Sequence, residues 1–298
     1  MTTGRQPTLC LFFERAADLL AASGFESPRE EARALVEAVA GIPLARQLAH
    51  PRMVLDEKTL ASLERALALR LCHVPLGQIA GTVWFCGLPF RVTGSTLIPR
   101  PETEHLVEAA MEFCCDFVPT RLPIRILDTF TGTGAVGLSL GFRLKEEGLA
   151  FDLTLADISK DALEIAAVNA GVILPDQDPV LVRTDIWPQG KEAFDLILAN
   201  PPYIPSEEIA SLMPEVARFE PATALDGGPD GLVFYRRLAA EGQGRLSAEG
   251  LLILEAGAGQ AGLIVSVFDE GGWQEEGRVR DYLGHERVLM FSVRPHVK

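Results

Sequence analysis

From residue 124 onward, short apolar segments alternate with longer segments of helical periodicity, and this alternation restricts the fold more than any other feature of the chain. Strands that are separated by helices form a parallel sheet whose two faces the helices cover. The last two predicted strands, 278–282 and 288–293, follow each other directly and indicate an antiparallel hairpin at the sheet edge. We therefore predict an α/β domain with a mostly parallel, seven-stranded sheet. Its first five strands are predicted at 124–127, 151–156, 180–182, 194–199 and 251–255.

The first 72 residues differ, because their apolar residues recur at helical spacing. Ser27, Pro28 and Glu30 resemble a helix start, with a capping serine, a first-turn proline and an acid three residues after the serine. At 82–96 the pattern changes to that of a β-hairpin. We therefore predict an N-terminal helical domain over 1–80, a hairpin and linker over 81–119, and the α/β domain over 120–298.

The 298-residue chain carries a formal net charge of −14 at pH 7. Proteins that grip nucleic acid through its phosphates usually present a basic surface, so we expect no direct nucleic-acid binding. The five cysteines form no C-x-x-C pair and the five histidines are scattered, so we expect free thiols and no metal site. No stretch approaches the ~20 apolar residues of a membrane span. These features predict a cytoplasmic protein without membrane contact.

A glycine-rich loop follows the first predicted strand of the α/β domain and opens a helix. Gly132, Gly134 and Gly137 satisfy the G-x-G-x-x-G pattern, in which small residues let the backbone approach a ligand. The next predicted strand ends in Asp157, an acid well placed to accept hydrogen bonds from ribose hydroxyls. The pairing of loop and acid favours a nucleoside-type cofactor over a glycine-rich turn that binds nothing.

Asp128, just before the loop, indicates which cofactor this is. A carboxylate at this strand end would repel the pyrophosphate of NAD, but it suits the sulfonium and amino cations of S-adenosylmethionine. Asp185, after the third predicted strand, lies where an adenine amino group would be met in such a fold. A surface turn acid is an equally good interpretation of Asp185.

The segment Asn200-Pro201-Pro202-Tyr203 follows an apolar strand, at the edge where α/β sheets build their sites. The NH2 group of a planar amide or nucleobase is a poor nucleophile, and two acceptors on its N–H bonds would orient it. The Asn200 side-chain oxygen and the Pro201 carbonyl can supply them. Pro202 helps to hold the turn open, and Tyr203 offers a flat wall. We therefore predict methylation of an amide or amino nitrogen.

These residues resemble the family of protein glutamine N5-methyltransferases, and the resemblance covers nearly the whole chain. It implies a Rossmann-like, class I methyltransferase domain with S-adenosylmethionine as cofactor, and a target glutamine amide held by the catalytic residues 200–203. It also implies that Arg100 and Glu102 wall the active site and contact the substrate, although a simple pairing with each other is an alternative. The implied cofactor contacts are Asp128, Phe130, Thr131, Gly132, Thr133, Gly134, Asp157, Asp185, Ile186 and Asn200.

Within that family, segments 97–104 and 219–225 resemble the branch that modifies peptide chain release factors. Segment 84–87 resembles instead the branch that acts on ribosomal protein L3. Two positions depart from the family pattern: Phe130 stands where the loop usually has its first glycine, and Ile186 replaces an aromatic residue. The resemblance predicts that a release factor is the protein partner and that domain 1–80 recognises it.

Three functions remain open on the sequence. The first is methylation of the glutamine in the Gly-Gly-Gln motif of release factors, with ribosomal protein L3 as the alternative substrate. The second is methylation of a nucleic-acid base amino group, which shares the 200–203 motif but fits the acidic charge poorly. The third is a binding module without catalysis, which Phe130 suggests and the intact 200–203 motif opposes.

Overall fold

The structure is a computed structural model that describes residues 7–116, 122–190 and 192–294. The described chain divides into two compact units. One contains the residues up to Gly81 together with Pro214–Phe219, and the other contains Thr82–Met213 and the residues from Glu220 onward. The helices are α1 Leu9–Ala22, α2 Pro28–Ala40, α3 Leu44–Ala49, α4 Glu57–Leu71, α5 Leu76–Ala80, α6 Glu104–Asp116, α7 Ala135–Glu146, α8 Lys160–Ile173, α9 Pro214–Phe219, α10 Val233–Glu241 and α11 Ala261–Glu270.

The first unit is helical, as the sequence predicts. Its core consists of apolar side chains from α1, α2 and α4, among them the fully buried Leu20, Leu35 and Leu63. α2 begins at Pro28, as predicted, with Ser27 at the N-cap position. The prediction that the Ser27 side chain caps the helix is wrong, because this side chain makes no capping hydrogen bond. The acid-capped helix is α4, where the Asp56 carboxylate accepts a hydrogen bond from the next turn.

A short helix from much later in the chain belongs to this unit. The buried Arg70 guanidinium of α4 forms ion pairs with Glu31 of α2 and with Glu215 of α9, at N–O distances of 2.8 and 2.6 Å. The Gln78 side chain of α5 donates a hydrogen bond to the Phe219 carbonyl at 2.9 Å. These contacts tie α9 to the helical unit, a long-range association that local sequence patterns do not report.

The second unit contains the predicted seven-stranded sheet, with the order β5-β4-β3-β6-β7-β9-β8. The five strands from β5 to β7 are parallel, and β9 and β8 form the predicted antiparallel edge. A separate two-stranded sheet is the predicted hairpin. The strands are β1 Thr82–Phe85, β2 Leu88–Arg91, β3 Ile124–Thr129, β4 Phe151–Asp157, β5 Val180–Arg183, β6 Phe194–Ala199, β7 Leu246–Glu255, β8 Trp273–Arg280 and β9 Glu286–Val293.

Some predicted boundaries are wrong. The strand predicted at 278–282 is β8, which begins earlier and spans Trp273–Arg280. The sequence predicts a helix over 232–247, whereas α10 ends at Glu241 and β7 begins at Leu246. Gly242 is the C-cap of α10: its N–H donates to the Leu238 carbonyl at 2.9 Å, and a Cβ atom on it would approach that oxygen to 2.5 Å. Leu246 then pairs with Phe194 of β6, which extends β7 by several residues.

The hairpin and α6 pack into the core of the sheet. Phe85 and Phe90 are buried, with ring centroids 6.0 Å apart, and they share a cluster with Leu106 of α6 and Ile126 of β3. Trp84, on the other face of the hairpin, is 73% exposed. Residues 82–116, which the sequence assigns to a hairpin and linker, therefore belong to the same compact unit as the sheet.

Candidate active site

A cavity of about 480 Å³ opens in the second unit at the carboxyl ends of the parallel strands. This is the edge at which α/β sheets bind ligands, and the volume suits a small-molecule cofactor. Four of the predicted site residues do not line it, namely Glu102, Gly134, Pro201 and Tyr203. The predicted residues that do line it are Arg100, Asp128, Phe130, Thr131, Gly132, Thr133, Asp157, Asp185, Ile186, Asn200 and Pro202.

Asp128, at the end of the buried strand β3, organises the glycine loop. One carboxylate oxygen accepts hydrogen bonds from the Thr131 hydroxyl at 2.6 Å and from the Gly137 backbone N–H at 3.0 Å. Burial raises the pKa of Asp128 to about 7, against the opposing effect of these two hydrogen bonds. A cation in the adjoining cavity would favour the ionised carboxylate, so the site suits a positively charged ligand.

Asp157, at the end of β4, holds the same loop from the other side. Its two carboxylate oxygens accept backbone N–H groups, one from Gly132 at 2.9 Å and one from Ser159 at 2.8 Å. Burial raises the pKa of Asp157 even so. Because each oxygen has a further lone pair, the carboxylate can also accept hydrogen bonds from a ligand in the cavity.

Phe130 occupies the loop position where the family has glycine, and its backbone has the left-handed conformation that favours glycine, with φ of 62°. Its ring packs edge to face against Phe234 of α10, with centroids 5.3 Å apart, and both rings line the cavity. The aromatic contact offsets the backbone strain and adds an apolar wall to the site.

This strain leads to a comparison of two variants. Phe130→Ala and Phe130→Gly both lose the ring, but only glycine relieves the left-handed backbone. We expect the glycine variant to be more stable than the alanine variant by about 1 kcal/mol in urea unfolding. Equal stability of the two would show that the loop does not hold this conformation at residue 130.

Asp185 and Ile186 follow β5. The exposed Asp185 carboxylate forms a bidentate ion pair with Arg237 of α10, at N–O distances of 2.9 and 3.1 Å. The carboxylate that is predicted to bind the adenine amino group is therefore already paired with Arg237. Ile186 is buried with φ of 69°, and its carbonyl accepts a hydrogen bond from the Thr129 hydroxyl at 2.8 Å. Ile186 thus links the end of β5 to the end of β3.

Asn200 begins the turn after β6. Its side-chain NH2 donates to the Thr103 hydroxyl at 3.3 Å, and Thr103 donates to the buried Glu255 carboxylate at 2.6 Å. Tyr203 is half-buried, and its hydroxyl donates to the other oxygen of Glu255 at 3.4 Å. Glu255 itself ends β7, the strand beside β6. The turn is therefore anchored to two neighbouring elements.

Three glycines lie against this turn, two of them against its backbone and one against the Tyr203 ring. A Cβ atom on Gly227 would approach the Pro202 carbonyl oxygen to 2.8 Å, and one on Gly231 would approach the Tyr203 carbonyl oxygen to 2.3 Å. A Cβ atom on Gly257 would lie 3.0 Å from the Tyr203 ring. Real Cβ atoms do not approach backbone as closely as they would at Gly227 and Gly231, so the shape of the turn depends on glycine at these two positions.

Arg100 does not pair with Glu102. Its guanidinium instead forms an ion pair with the buried Glu220 carboxylate at 2.5 Å, and Arg100 lines the cavity whereas Glu102 does not. The alternative in which residues 100 and 102 pair with each other is therefore wrong. Glu220 lies in one of the segments, 219–225, that carry the family resemblance.

Sequence reasoning assigned no role to Thr103, Phe234 and Arg237, which line the cavity, or to Glu255, which binds Thr103. Thr103 lies in segment 97–104, which carries the family resemblance. Glu255 had a local signal, because an acid at the end of the apolar segment 251–254 resembles Asp128 at the end of its own strand. Phe234 and Arg237 lie on α10, one turn apart on the helix, and nothing in their local pattern distinguishes them from a surface helix.

Within 7–116, 122–190 and 192–294, no cluster of three or more His, Cys, Asp or Glu side chains is arranged to hold a metal ion. Over the same residues, no helix has both the length and the apolar character that crossing a membrane requires.

The sheet order, the glycine loop after β3 and the acid at the end of β4 together define a class I methyltransferase fold. Residues 12–81 match the family described as PrmC N-terminal domain, and residues 105–221 match the family described as Methyltransferase small domain. The chain belongs to the family of release factor glutamine methyltransferases, as its relatives show.

The release factor glutamine methyltransferase of Rhodospirillum rubrum is 39% identical over 278 residues, which cover 93% of this chain and 82% of that protein. The one of Cereibacter sphaeroides is 37% identical, over 92% of this chain and 94% of that protein. Among solved structures, the hMettl16 catalytic domain in complex with MAT2A 3'UTR hairpin 1 has a TM-score of 0.51 at 15% identity, over 95% of this chain and 93% of that chain. This last likeness concerns the fold alone.

Proposed function

We propose that this protein transfers a methyl group from S-adenosylmethionine to the side-chain amide nitrogen of the glutamine in the Gly-Gly-Gln motif of peptide chain release factors. One observation carries the proposal: the Asn200 turn after β6 and the glycine loop after β3 open on the same cavity. A planar amide held by the first therefore lies beside a nucleoside cofactor held by the second.

The chemistry of the cavity fits S-adenosylmethionine. Asp128, Asp157 and Asp185 provide carboxylates, and among the described residues the basic side chains that line the cavity are Arg100 and Arg237. Both are already paired with carboxylates, which leaves little to attract a phosphate. Asp157 would hold the ribose hydroxyls, and Asp128 would face the cationic part of the cofactor. When bound, the cofactor supplies an electrophilic methyl group on its sulfonium.

The Asn200 turn positions the acceptor nitrogen. The Asn200 side-chain oxygen and the Pro201 carbonyl each accept one N–H of the target amide, and Tyr203 provides an apolar wall for its plane. Methylation makes the nitrogen more cationic, so both acceptors bind the transition state more strongly than the ground state. One proton passes from the nitrogen to solvent as the product forms, so the amide returns to neutrality.

The helical domain 1–80 is proposed to recognise the release factor. Its separate core and the separate family match over 12–81 support this assignment. Release factors act on ribosomes, so the proposed substrate implies a cytoplasmic enzyme. The test is incubation of the purified chain with labelled S-adenosylmethionine and either a release factor, ribosomal protein L3 or RNA. We expect label in the release factor alone, and label in L3 or RNA instead would refute the substrate assignment.

Asp157→Ala tests the cofactor part of the proposal. We expect the affinity for S-adenosylmethionine to fall by about 1–3 kcal/mol in isothermal titration, because a charge-assisted contact to the ribose is lost. Asp152→Ala, an exposed acid on the same strand, is the matched control and should bind normally. Tight binding of NAD by the unmodified chain would contradict the cofactor assignment.

A further inference from the structure

The role proposed for Asn200 depends on the orientation of its side-chain amide. A side-chain amide can turn by 180°, and the two orientations exchange an acceptor for two donors. Under the function proposed above, only the orientation with the oxygen toward the substrate accepts an N–H of the target glutamine. The opposite orientation would set two donor groups against each other. A device that fixes the amide therefore contributes directly to catalysis.

The contacts of Thr103 fix it. The Thr103 hydroxyl has a single hydrogen, which it donates to the Glu255 carboxylate at 2.6 Å. Toward Asn200 its oxygen can then act only as an acceptor, and the Asn200 NH2 group donates to it at 3.3 Å. The direction of the first hydrogen bond thus dictates the direction of the second. The Asn200 oxygen is left for the side away from Thr103.

The two hydrogen bonds that join Glu255, Thr103 and Asn200 form a relay, and the charge of Glu255 decides its direction. Glu255 is 2% exposed, and burial raises its pKa to about 7. The charged groups that act on it are Arg287 of β9, which favours the carboxylate, and Glu102, which opposes it. The Tyr203 hydroxyl contacts the carboxylate, and the Tyr235 hydroxyl donates to the backbone carbonyl of Glu255 at 2.9 Å. Both protonation states are therefore accessible near neutral pH.

We propose that Glu255 and Thr103 are positioning residues for methyl transfer, and that the ionised Glu255 carboxylate holds the Asn200 amide in its accepting orientation. A proton taken up from solvent by Glu255 reverses the relay. The acid then donates to the Thr103 oxygen, Thr103 donates to the Asn200 oxygen, and the amide turns its NH2 toward the substrate. Activity therefore rises with pH as Glu255 loses its proton.

Thr103→Val and Thr103→Ser test this as a pair. Valine keeps the shape of threonine without the hydroxyl, and serine keeps the hydroxyl. At saturating S-adenosylmethionine and release factor, we expect kcat of the valine variant to fall roughly 10- to 100-fold, and that of the serine variant to stay within about threefold of the unmodified enzyme. The Kd of S-adenosylmethionine should stay within about twofold in both, since neither change removes a proposed cofactor contact.

The pH profile of kcat separates positioning from packing. We expect an ascending limb near pH 7 in the unmodified enzyme and in Thr103→Ser, and none in Thr103→Val or Glu255→Gln. Saturating cofactor matters here, because Asp128 also has a pKa of about 7 and acts on cofactor affinity. Tyr235→Phe, which removes the hydrogen bond to the Glu255 backbone and leaves the Glu255 carboxylate and the Thr103 hydroxyl in place, is the packing control and should keep the limb.

The outcomes are distinguishable. Equal kcat in Thr103→Val and Thr103→Ser, or an ascending limb that persists in Glu255→Gln, would overturn the relay while leaving the proposed function intact. If thermal unfolding shows that Thr103→Val is not folded, the pH profile of kcat for Glu255→Gln alone tests the relay. Absence of glutamine methylation in the unmodified enzyme would refute the proposed function itself.

Discussion

Replacing Asn200 with alanine is expected to lower kcat by roughly 10²–10³-fold, the effect of losing one preorganised polar group at a reacting centre. The Asn200 oxygen is proposed to accept an N–H of the target amide, and this contact strengthens as positive charge develops on nitrogen. The affinity for S-adenosylmethionine should change little, because Asn200 mainly serves the substrate. Steady-state methylation of a release factor at saturating substrates measures the first quantity, and isothermal titration measures the second.

Two substitutions in the same turn sharpen this prediction. Asn200→Asp keeps an oxygen acceptor and adds a charge, so it should retain more activity than Asn200→Ala. Tyr203→Phe should be mild, because the ring face forms the wall and the hydroxyl contact to Glu255 is long, at 3.4 Å. An aspartate variant no more active than the alanine variant would contradict the role of Asn200 as an acceptor.

Gly231→Ala should be nearly as damaging, although residue 231 touches no reacting atom. Its φ of 73° favours glycine, and its added Cβ atom would meet the Tyr203 carbonyl oxygen at 2.3 Å. Left-handed strain and overpacking together should destabilise the protein by about 2–4 kcal/mol. The displaced turn should also lower kcat roughly 10²-fold, since a shift of about 1 Å is enough to misplace the acceptors.

Gly259→Ala is the matched control for that variant. Gly259 also has a positive φ, of 80°, but no atom lies within 4 Å of a Cβ atom there. It should therefore cost about 1 kcal/mol of stability from backbone strain and leave kcat unchanged. Urea unfolding and steady-state kinetics on both variants separate the effect of backbone strain from that of the steric clash between the added Cβ atom and the turn. Similar losses of kcat in the two would show that the contact between residue 231 and the turn is unimportant.

The elements that the sequence predicts best are those with strong local periodicity. The bounds of β6 match the predicted strand at 194–199, because an apolar run ends abruptly at Asn200. The seven strands and the edge hairpin likewise follow from alternation and the absence of an intervening helix. The predicted helix over 232–247 runs too far, because pairing of Leu246 with β6 overrides a local helical pattern.

The parts of the site that could not be predicted depend on contacts between distant residues. The hydrogen bond from Thr103 to Glu255 joins residues 152 positions apart, and the one from Asn200 to Thr103 joins residues 97 positions apart. The ion pair between Asp185 and Arg237 joins residues 52 positions apart. Spacing within a strand or helix carries no information about such partners, which only the packed sheet brings together.

The position of the methyl group tests the central claim most directly. A release factor methylated by this protein is digested and sequenced by tandem mass spectrometry, beside the same factor with the glutamine of its Gly-Gly-Gln motif replaced. We predict one added methyl group on the side-chain amide of that glutamine, and no modification of the substituted factor. A methyl group on a lysine, an arginine or a nucleic-acid base would contradict the account.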